Sequence, residues 1–226
     1  MKENVLDNPV WHALSSVQQK FSILYHGLAF YHPNYLIFGA FLDENQHTNG
    51  IELYGRLQTP FYIVGQKPKL PDTIAIHKNY SCDQMILPNQ VSLITTSHPI
   101  IKLHTAQHKK DLIALNHKVQ PGFFRPKTST LGTYFGIYKN DVLIAAAGER
   151  MAIPGYIEIS GVVTDPEHRN KGYAKELVTH VSQHIRYQNN IPFLHVIASN
   201  QNAINLYTKL GFTYRRKIDF LKCGLK

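Results

Sequence analysis

At 226 residues, 43% hydrophobic and 17% charged, the chain carries enough apolar material for one or two globular domains. It contains no run near the roughly 20 apolar residues that span a bilayer, and no apolar stretch follows Met1-Lys2-Glu3-Asn4 as a secretory signal would require, so a cytoplasmic protein without membrane association is expected. The net charge of +9 is lopsided: residues 1–100 hold 6 Lys+Arg against 7 Asp+Glu, whereas residues 101–226 hold 18 against 8.

In the first part, Asp7 or Asn8 can cap a helix with Pro9 at its first position, and Trp11, Leu14 and Val17 follow at helical spacing. His32-Pro33-Asn34 marks a turn, and Leu36 to Leu42 is an apolar run of strand length. A short helix is predicted within 44–58, then a strand over Phe61–Gly65, and two further short strands over Thr73–His77 and Met85–Leu87. Strands interleaved with helical stretches indicate an α/β unit. No chemical motif is visible here, and Trp11 reads as core. The pattern loosens between Pro88 and Pro99, which places a domain boundary near residue 97.

In the second part, Thr105 offers an N-cap to a helix bearing Leu112, Ile113 and Leu115, Pro121-Gly122 ends that segment, and residues 123–130 form a polar, proline-containing loop. An antiparallel meander follows: Leu131–Tyr138, a turn at Lys139-Asn140-Asp141, Val142–Gly148, a turn over Met151–Gly155, and Tyr156–Val163. On that last strand, alternation puts Ile157, Ile159 and Val163 on one face and Glu158, Ser160 and Val162 on the other. A glutamate between two isoleucines needs either water or a site around it. Gly161 marks a bulge or a close backbone approach by a ligand.

Val162-Val163-Thr164 then leads through Asp165-Pro166 into Arg169-Asn170-Lys171-Gly172-Tyr173-Ala174 and an amphipathic helix with Leu177, Val178, Val181 and Ile185 on one stripe. A helix start offers unpaired N–H groups and partial positive charge, and Arg169 and Lys171 add full charges. The stretch is either a phosphate or pyrophosphate pocket or a plain strand-to-helix turn. Next comes the strand Ile191–Ile197, a helix capped by Asn200 with Ala203, Leu206, Tyr207 and Leu210, and Gly211 ending it in left-handed conformation. Two strands, Phe212–Tyr214 and Ile218–Cys223, flank a basic turn at Arg215-Arg216-Lys217.

The basic second part suits an anionic ligand. It has no block of Lys/Arg and no zinc-finger or RNA-recognition signature, so nucleic acid is not an expected partner. His180 and His184 have i, i+4 spacing but no third ligand nearby, so no metal is expected. Cys82 and Cys223 read as reduced thiols.

Two linked signatures, Val163-x5-Arg169-x-x-Gly172-x-Ala174 and Asn200-x-x-Ala203-x-x-Leu206-Tyr207-x-x-x-Gly211-Phe212, closely resemble the acetyl-coenzyme-A-binding core of the GNAT acyltransferase superfamily. The strand Glu158–Val163 and the run Pro192–Val196 resemble its glycine-N-acyltransferase-like branch. The resemblance covers residues 99–223. It implies a mixed α/β (α+β) fold: a GNAT-type central sheet flanked by helices over 98–226, and a smaller, degenerate GNAT-like α/β unit over 1–97. It further implies that backbone groups of Val162, Val163 and Thr164 pair with the cofactor's pantetheine arm, that Arg169, Asn170, Lys171, Gly172, Tyr173 and Ala174 cradle its pyrophosphate, that Asn200 binds the arm, and that Tyr207 lies near the sulfur.

The expected activity is transfer of an acetyl group from acetyl-CoA to a primary amine in a ternary complex, without a metal and with a homodimer as one possible assembly. Amine acylation needs an acceptor for the amine proton, donors for the developing oxyanion and a donor for the departing thiolate. Glu158 is the expected base, directly or through a water held with Ser160. The N–H of Val162 or Val163 would polarise the carbonyl, and Tyr207 would be the acid. His195 is a weaker substrate contact. The alternative is a non-catalytic acyl-CoA-binding regulatory module.

Overall fold

The computed structural model describes residues 5–42, 48–88 and 97–226. The first part runs α1 (Pro9–Leu14), β1 (Ser22–Tyr25), β2 (Leu28–Tyr31), β3 (Phe38–Phe41), α2 (Thr48–Leu57), β4 (Phe61–Val64) and β5 (Ile74–Ile86). The second runs β6 (Ile101–Lys102), α3 (Ala106–Val119), β7 (Tyr134–Lys139), β8 (Val142–Ile153), β9 (Tyr156–Thr164), α4 (Tyr173–Tyr187), β10 (Ile191–Ile197), α5 (Gln201–Lys209) and β11 (Thr213–Leu225). All eleven strands join one mixed sheet in the order β1-β2-β3-β4-β11-β5-β10-β9-β8-β7-β6. Helices flank this sheet, as expected for the fold class. Among the described residues no helix is long and apolar enough to cross a membrane.

The two parts repeat one pattern. β1-β2 and β2-β3 are antiparallel and β3-β4 parallel; β7-β8 and β8-β9 are antiparallel and β9-β10 parallel. A helix precedes each set, and α2 and α4 supply the two parallel crossovers. Each part ends in a 13-residue strand. These last strands are exchanged: β5 pairs with β10, β11 pairs with β4, and β5 and β11 pair with each other along their whole length. One sheet therefore crosses the boundary expected near residue 97, and the segment 89–96 beside it lies outside the described residues.

Helix α4 buries Leu177, Val178, Val181 and Ile185 against Ile157, Ile159 and Leu194, while α3 buries Leu112 and Leu115 with Phe124, Tyr134 and Val163 on the opposite face. Each such side chain contributes roughly 1.5–3 kcal/mol when fully buried. A third core belongs to the first part, where Phe30 stacks on Tyr54 at 3.8 Å and the Tyr54 hydroxyl donates to the Tyr31 carbonyl at 2.8 Å.

Several expectations change in detail. The two short strands over 73–77 and 85–87 are one strand, β5, because its polar middle is carried by pairing with β11 on one side. The basic turn at 215–217 is no turn either. β11 continues through it, with a bulge between Tyr214 and Arg216 that absorbs Arg215. Strands β1 and β2 were not expected. Finally, Val163 does not share a face with Ile157 and Ile159. Gly161 (φ +61°) sits in a bulge where β8 and β9 shift register, so Val163 turns to the α3 side and Val162 to the α4 side.

Candidate active site

β9 and β10 pair only at Tyr156, Ile157 and Glu158, opposite Ile191, Pro192 and Phe193. Beyond Glu158 the strands separate, and the edge of β9 that faced β10 has no strand partner among the described residues. A cavity of about 730 Å³ opens in this gap. At its mouth lies the turn before α4. Gly172 is the N-cap residue with φ +86°, and a Cβ built on it would meet no atom within 4 Å. Asn170 is also left-handed, with φ +62°. None of the backbone N–H groups from Arg169 to Lys175 has a partner among the described residues; the first pairing is Glu176 N–H to the Gly172 carbonyl at 3.1 Å. With Arg169, Lys171 and Lys175 around them, these donors form a cationic concavity suited to a phosphate or pyrophosphate. Asp165 caps the short helical turn Pro166–His168 that leads into it. Its carboxylate accepts from Lys118 Nζ at 2.7 Å and from the Glu167 N–H at 3.1 Å, and these contacts hold it below the usual carboxylate range.

Asn200 and Tyr207 lie across the gap on α5. Asn200 Oδ1 caps that helix through the Ala203 N–H at 3.2 Å, leaving its amide nitrogen for a ligand. Tyr207 is 8% exposed, packs near Phe212 at 5.9 Å and lines the cavity; burial pushes its hydroxyl up to about 12. A phenol so placed keeps its proton at neutral pH and can donate it.

At the inner end stands a buried ionic group. Arg150 donates to Glu158 through Nε at 2.7 Å and Nη2 at 2.6 Å, and His195 Nδ1 lies 2.7 Å from Glu158 Oε1. The Glu158 side chain is 0% exposed, that of His195 2% and that of Arg150 14%. Burial alone would raise the Glu158 carboxyl. The charge and hydrogen bonds of Arg150, joined by His195, outweigh burial and hold it at about 2. Arg150 and His195 line the cavity, and Arg150 also sits 5.0 Å from the centroid of the Phe38 ring.

The orientation of His195 follows from its neighbours. Gln84, which is 0% exposed, donates from Nε2 to the Leu6 carbonyl at 2.9 Å and accepts Arg215 Nη1 on Oε1 at 2.9 Å. Its amide is thereby fixed, and its second Nε2 hydrogen faces His195 Nε2 at 3.1 Å. The imidazole therefore accepts at Nε2 and donates from Nδ1 to Glu158. Arg215 continues the chain to Asp7 at 2.7 Å. Replacing Gln84 by leucine strips partners from His195, Arg215 and the Leu6 carbonyl. It is expected to cost about 1–3 kcal/mol in urea unfolding; an unchanged midpoint would count against the network.

The structure thus brings Val162, Thr164, Arg169 to Ala174, Ser160, His195, Asn200 and Tyr207 to the walls of one cavity. Glu158 and Val163 lie behind it, buried. Sequence reasoning missed Arg150 and Gln84. Counting back from the Pro154-Gly155 turn places Met151 opposite Glu158, since Ile153 pairs with Tyr156 and Ala152 with Ile157. A bulge between Glu149 and Ala152 sets both Arg150 and Met151 against Glu158, and nothing in the residue pattern announces it.

Known proteins share the fold. A family model, FR47-like protein, matches residues 134–221. Among solved structures, a protein from Novosphingobium aromaticivorans assigned to the GNAT family as an acetyltransferase is 28% identical, with 99% of this chain and 100% of that one covered at a TM-score of 0.87. A GCN5-related N-acetyltransferase from Kribbella flavida (13% identity, 93% and 95% covered, TM-score 0.63) and a GCN5-related N-acetyltransferase-like protein from Streptococcus suis (12%, 95% and 93%, 0.63) share the fold. No curated protein sequence matches. The chain therefore has the GNAT fold over its length, with the FR47-like pattern in its second part.

Proposed function

We propose that the protein is an acyl-CoA-dependent N-acyltransferase that moves an acetyl group from acetyl-CoA to a primary amine by direct attack in a ternary complex. The observation that carries this reading is the row of N–H groups from Arg169 to Lys175, without partners among the described residues, at the mouth of a cavity that runs along the edge of β9 that no described strand covers. The donor set fits a coenzyme A: the amides of Arg169, Asn170, Lys171, Gly172, Tyr173 and Ala174 for the pyrophosphate, the β9 edge at Val162, Val163 and Thr164 and the Asn200 amide for the arm. When bound, the thioester supplies an activated acyl carbonyl. The glycine-N-acyltransferase-like branch belongs to this proposal, as does the division into a degenerate GNAT-like unit over 1–97 and a catalytic unit over 98–226, which the repeated strand pattern supports.

For the chemistry, the chain offers a proton donor in Tyr207 and an N–H at the Gly161 bulge, from Val162 or Val163, for the carbonyl oxygen. Glu158 takes a different place from the base expected for it. Both of its oxygens already hold cationic or N–H donors, and a carboxyl at about 2 cannot draw a proton from an ammonium near 10. We assign it the role of fixing Arg150 and His195; the amine enters as the free base, its ammonium proton already lost to bulk buffer, and the far more acidic proton left on nitrogen after attack passes to water in the open cavity. The same ion pairing is what a non-catalytic acyl-CoA-binding module would show; the buried hydroxyl of Tyr207 on the cavity wall favours the enzyme.

Thiol release from acetyl-CoA with a panel of amines tests the activity. Tyr207→Phe is expected to lower kcat by about 10² with the melting temperature unchanged, because the ring packing is kept. A full-rate variant removes the acid role.

A further inference from the structure

The inner end of the cavity lies between the two parts of the chain. Its walls include Leu36, Phe38 and Tyr80 from the first part and Phe123, Phe124 and Phe220 from the second. The rings support one another: Phe123 stands 6.4 Å from Tyr80, and Phe220 stands 5.3 Å from His195. No Asp or Glu is among the described residues that line the cavity. Glu158 does not serve as an exposed anion, because it is fully covered, both of its oxygens accept from Arg150 and Oε1 is also bonded to His195. A ligand carrying a second ammonium group would leave that charge unpaired in an aromatic pocket, at high cost.

Arg150 adds the polar feature. It spends Nε and Nη2 on Glu158, and Nη1 has no hydrogen-bond partner among the described residues. Its charge is matched by Glu158, so this end of the cavity offers N–H donors without net charge. Donors of that kind suit a carbonyl or carboxylate oxygen.

We propose that the acceptor is an amine with an aromatic or branched apolar body, whose reacting nitrogen is its only cationic group and whose carbonyl or carboxylate oxygen is held by Arg150 Nη1. This rests on the N-acyltransferase reading and narrows it to a substrate class. Polyamines and other multiply cationic acceptors are excluded by the same walls.

The test is thiol release from acetyl-CoA by the full chain with phenylalaninamide, phenylalanine, 2-phenylethylamine, 1,4-diaminobutane and spermidine. The better of phenylalaninamide and phenylalanine is expected to exceed both polyamines in kcat/KM by about 100-fold, and to exceed 2-phenylethylamine, which lacks the oxygen, by about tenfold. The amide and the acid separate a carbonyl from a carboxylate partner. Phe123→Glu places a carboxylate in the wall from a half-buried loop position and is expected to raise kcat/KM for 1,4-diaminobutane while lowering it for phenylalaninamide. Phe123→Ala controls for lost bulk and should not raise it. A wild-type preference for spermidine or 1,4-diaminobutane overturns the substrate class and leaves the acyltransferase reading standing. Acetyl-CoA binding with no thiol release from any amine overturns both.

Discussion

Glu158→Gln is expected to destabilise the protein by on the order of 3–5 kcal/mol, because it leaves Arg150 buried with an uncompensated charge. For a chain of this size, at ~2–4 °C per kcal/mol, the melting temperature should fall by roughly 10 °C. The double variant Arg150→Met with Glu158→Gln removes both charges and should recover much of that loss. The pH dependence has a definite sign. The folded carboxyl lies at about 2 against an ordinary value of 4.5, so its contribution is complete above 4.5 and is lost as pH falls from there through 2. Thermal melts between pH 5 and pH 2 should therefore show the wild type losing stability over a part of the acid range where the variant loses less. The kinetics separate two roles. A base would leave a variant whose rate loss shrinks at high pH; an anchor for Arg150 and His195 gives a loss in kcat/KM for the amine that high pH does not restore. Acyl-CoA affinity should stay within about twofold in both cases, since the unpaired amides at Arg169–Lys175 lie apart from the ion pair. An unchanged melting temperature would refute the buried-pair account.

How much of this was readable beforehand follows from the range of the interactions. The glycine turn before α4, the α4 stripe and the Asn200 cap are local: each is written within a few consecutive residues, and the structure shows Gly172 left-handed, Leu177, Val178, Val181 and Ile185 buried, and Asn200 capping Ala203. Gly161 could be suspected of a bulge, but the bulge also reverses every face assignment after it, and alternation carried forward past Gly161 puts Val163 on the wrong side. The role of Glu158 depends on partners far along the chain. Its neighbour Arg150 is set by a register shift, and the orientation of His195 by Gln84, 111 residues away. The strand exchange that brings Gln84 there, with β5 between β10 and β11, leaves no trace in local periodicity. The aromatic walls of the cavity were equally hidden, because Phe38, Tyr80 and Phe123 meet only once the sheet is assembled.

Gly172→Glu is expected to reduce acyl-CoA affinity by about 100-fold or more, or roughly 3 kcal/mol. Two effects add. At φ +86° a side chain is strained in a conformation that glycine adopts freely, so the turn and the amides it orients are perturbed. The new carboxylate also enters open space, since no atom lies within 4 Å of a Cβ there, and it sits where the amides of Arg169–Lys175 and the side chains of Arg169 and Lys171 converge. It would occupy the donors proposed for phosphate and would repel a phosphate as well. Gly172→Ala carries the backbone strain without the charge, so its smaller loss, on the order of 1–2 kcal/mol, measures the first effect alone. Because the position is open, both variants should melt within a few degrees of the wild type. Calorimetric titration with CoA and with dephospho-CoA, at two salt concentrations, separates the pyrophosphate from the 3′-phosphate. The glutamate variant should lose affinity for both ligands equally if the turn holds the pyrophosphate they share. Retention of wild-type CoA affinity by Gly172→Glu would place the phosphates elsewhere and remove the support on which the acyl-CoA reading rests.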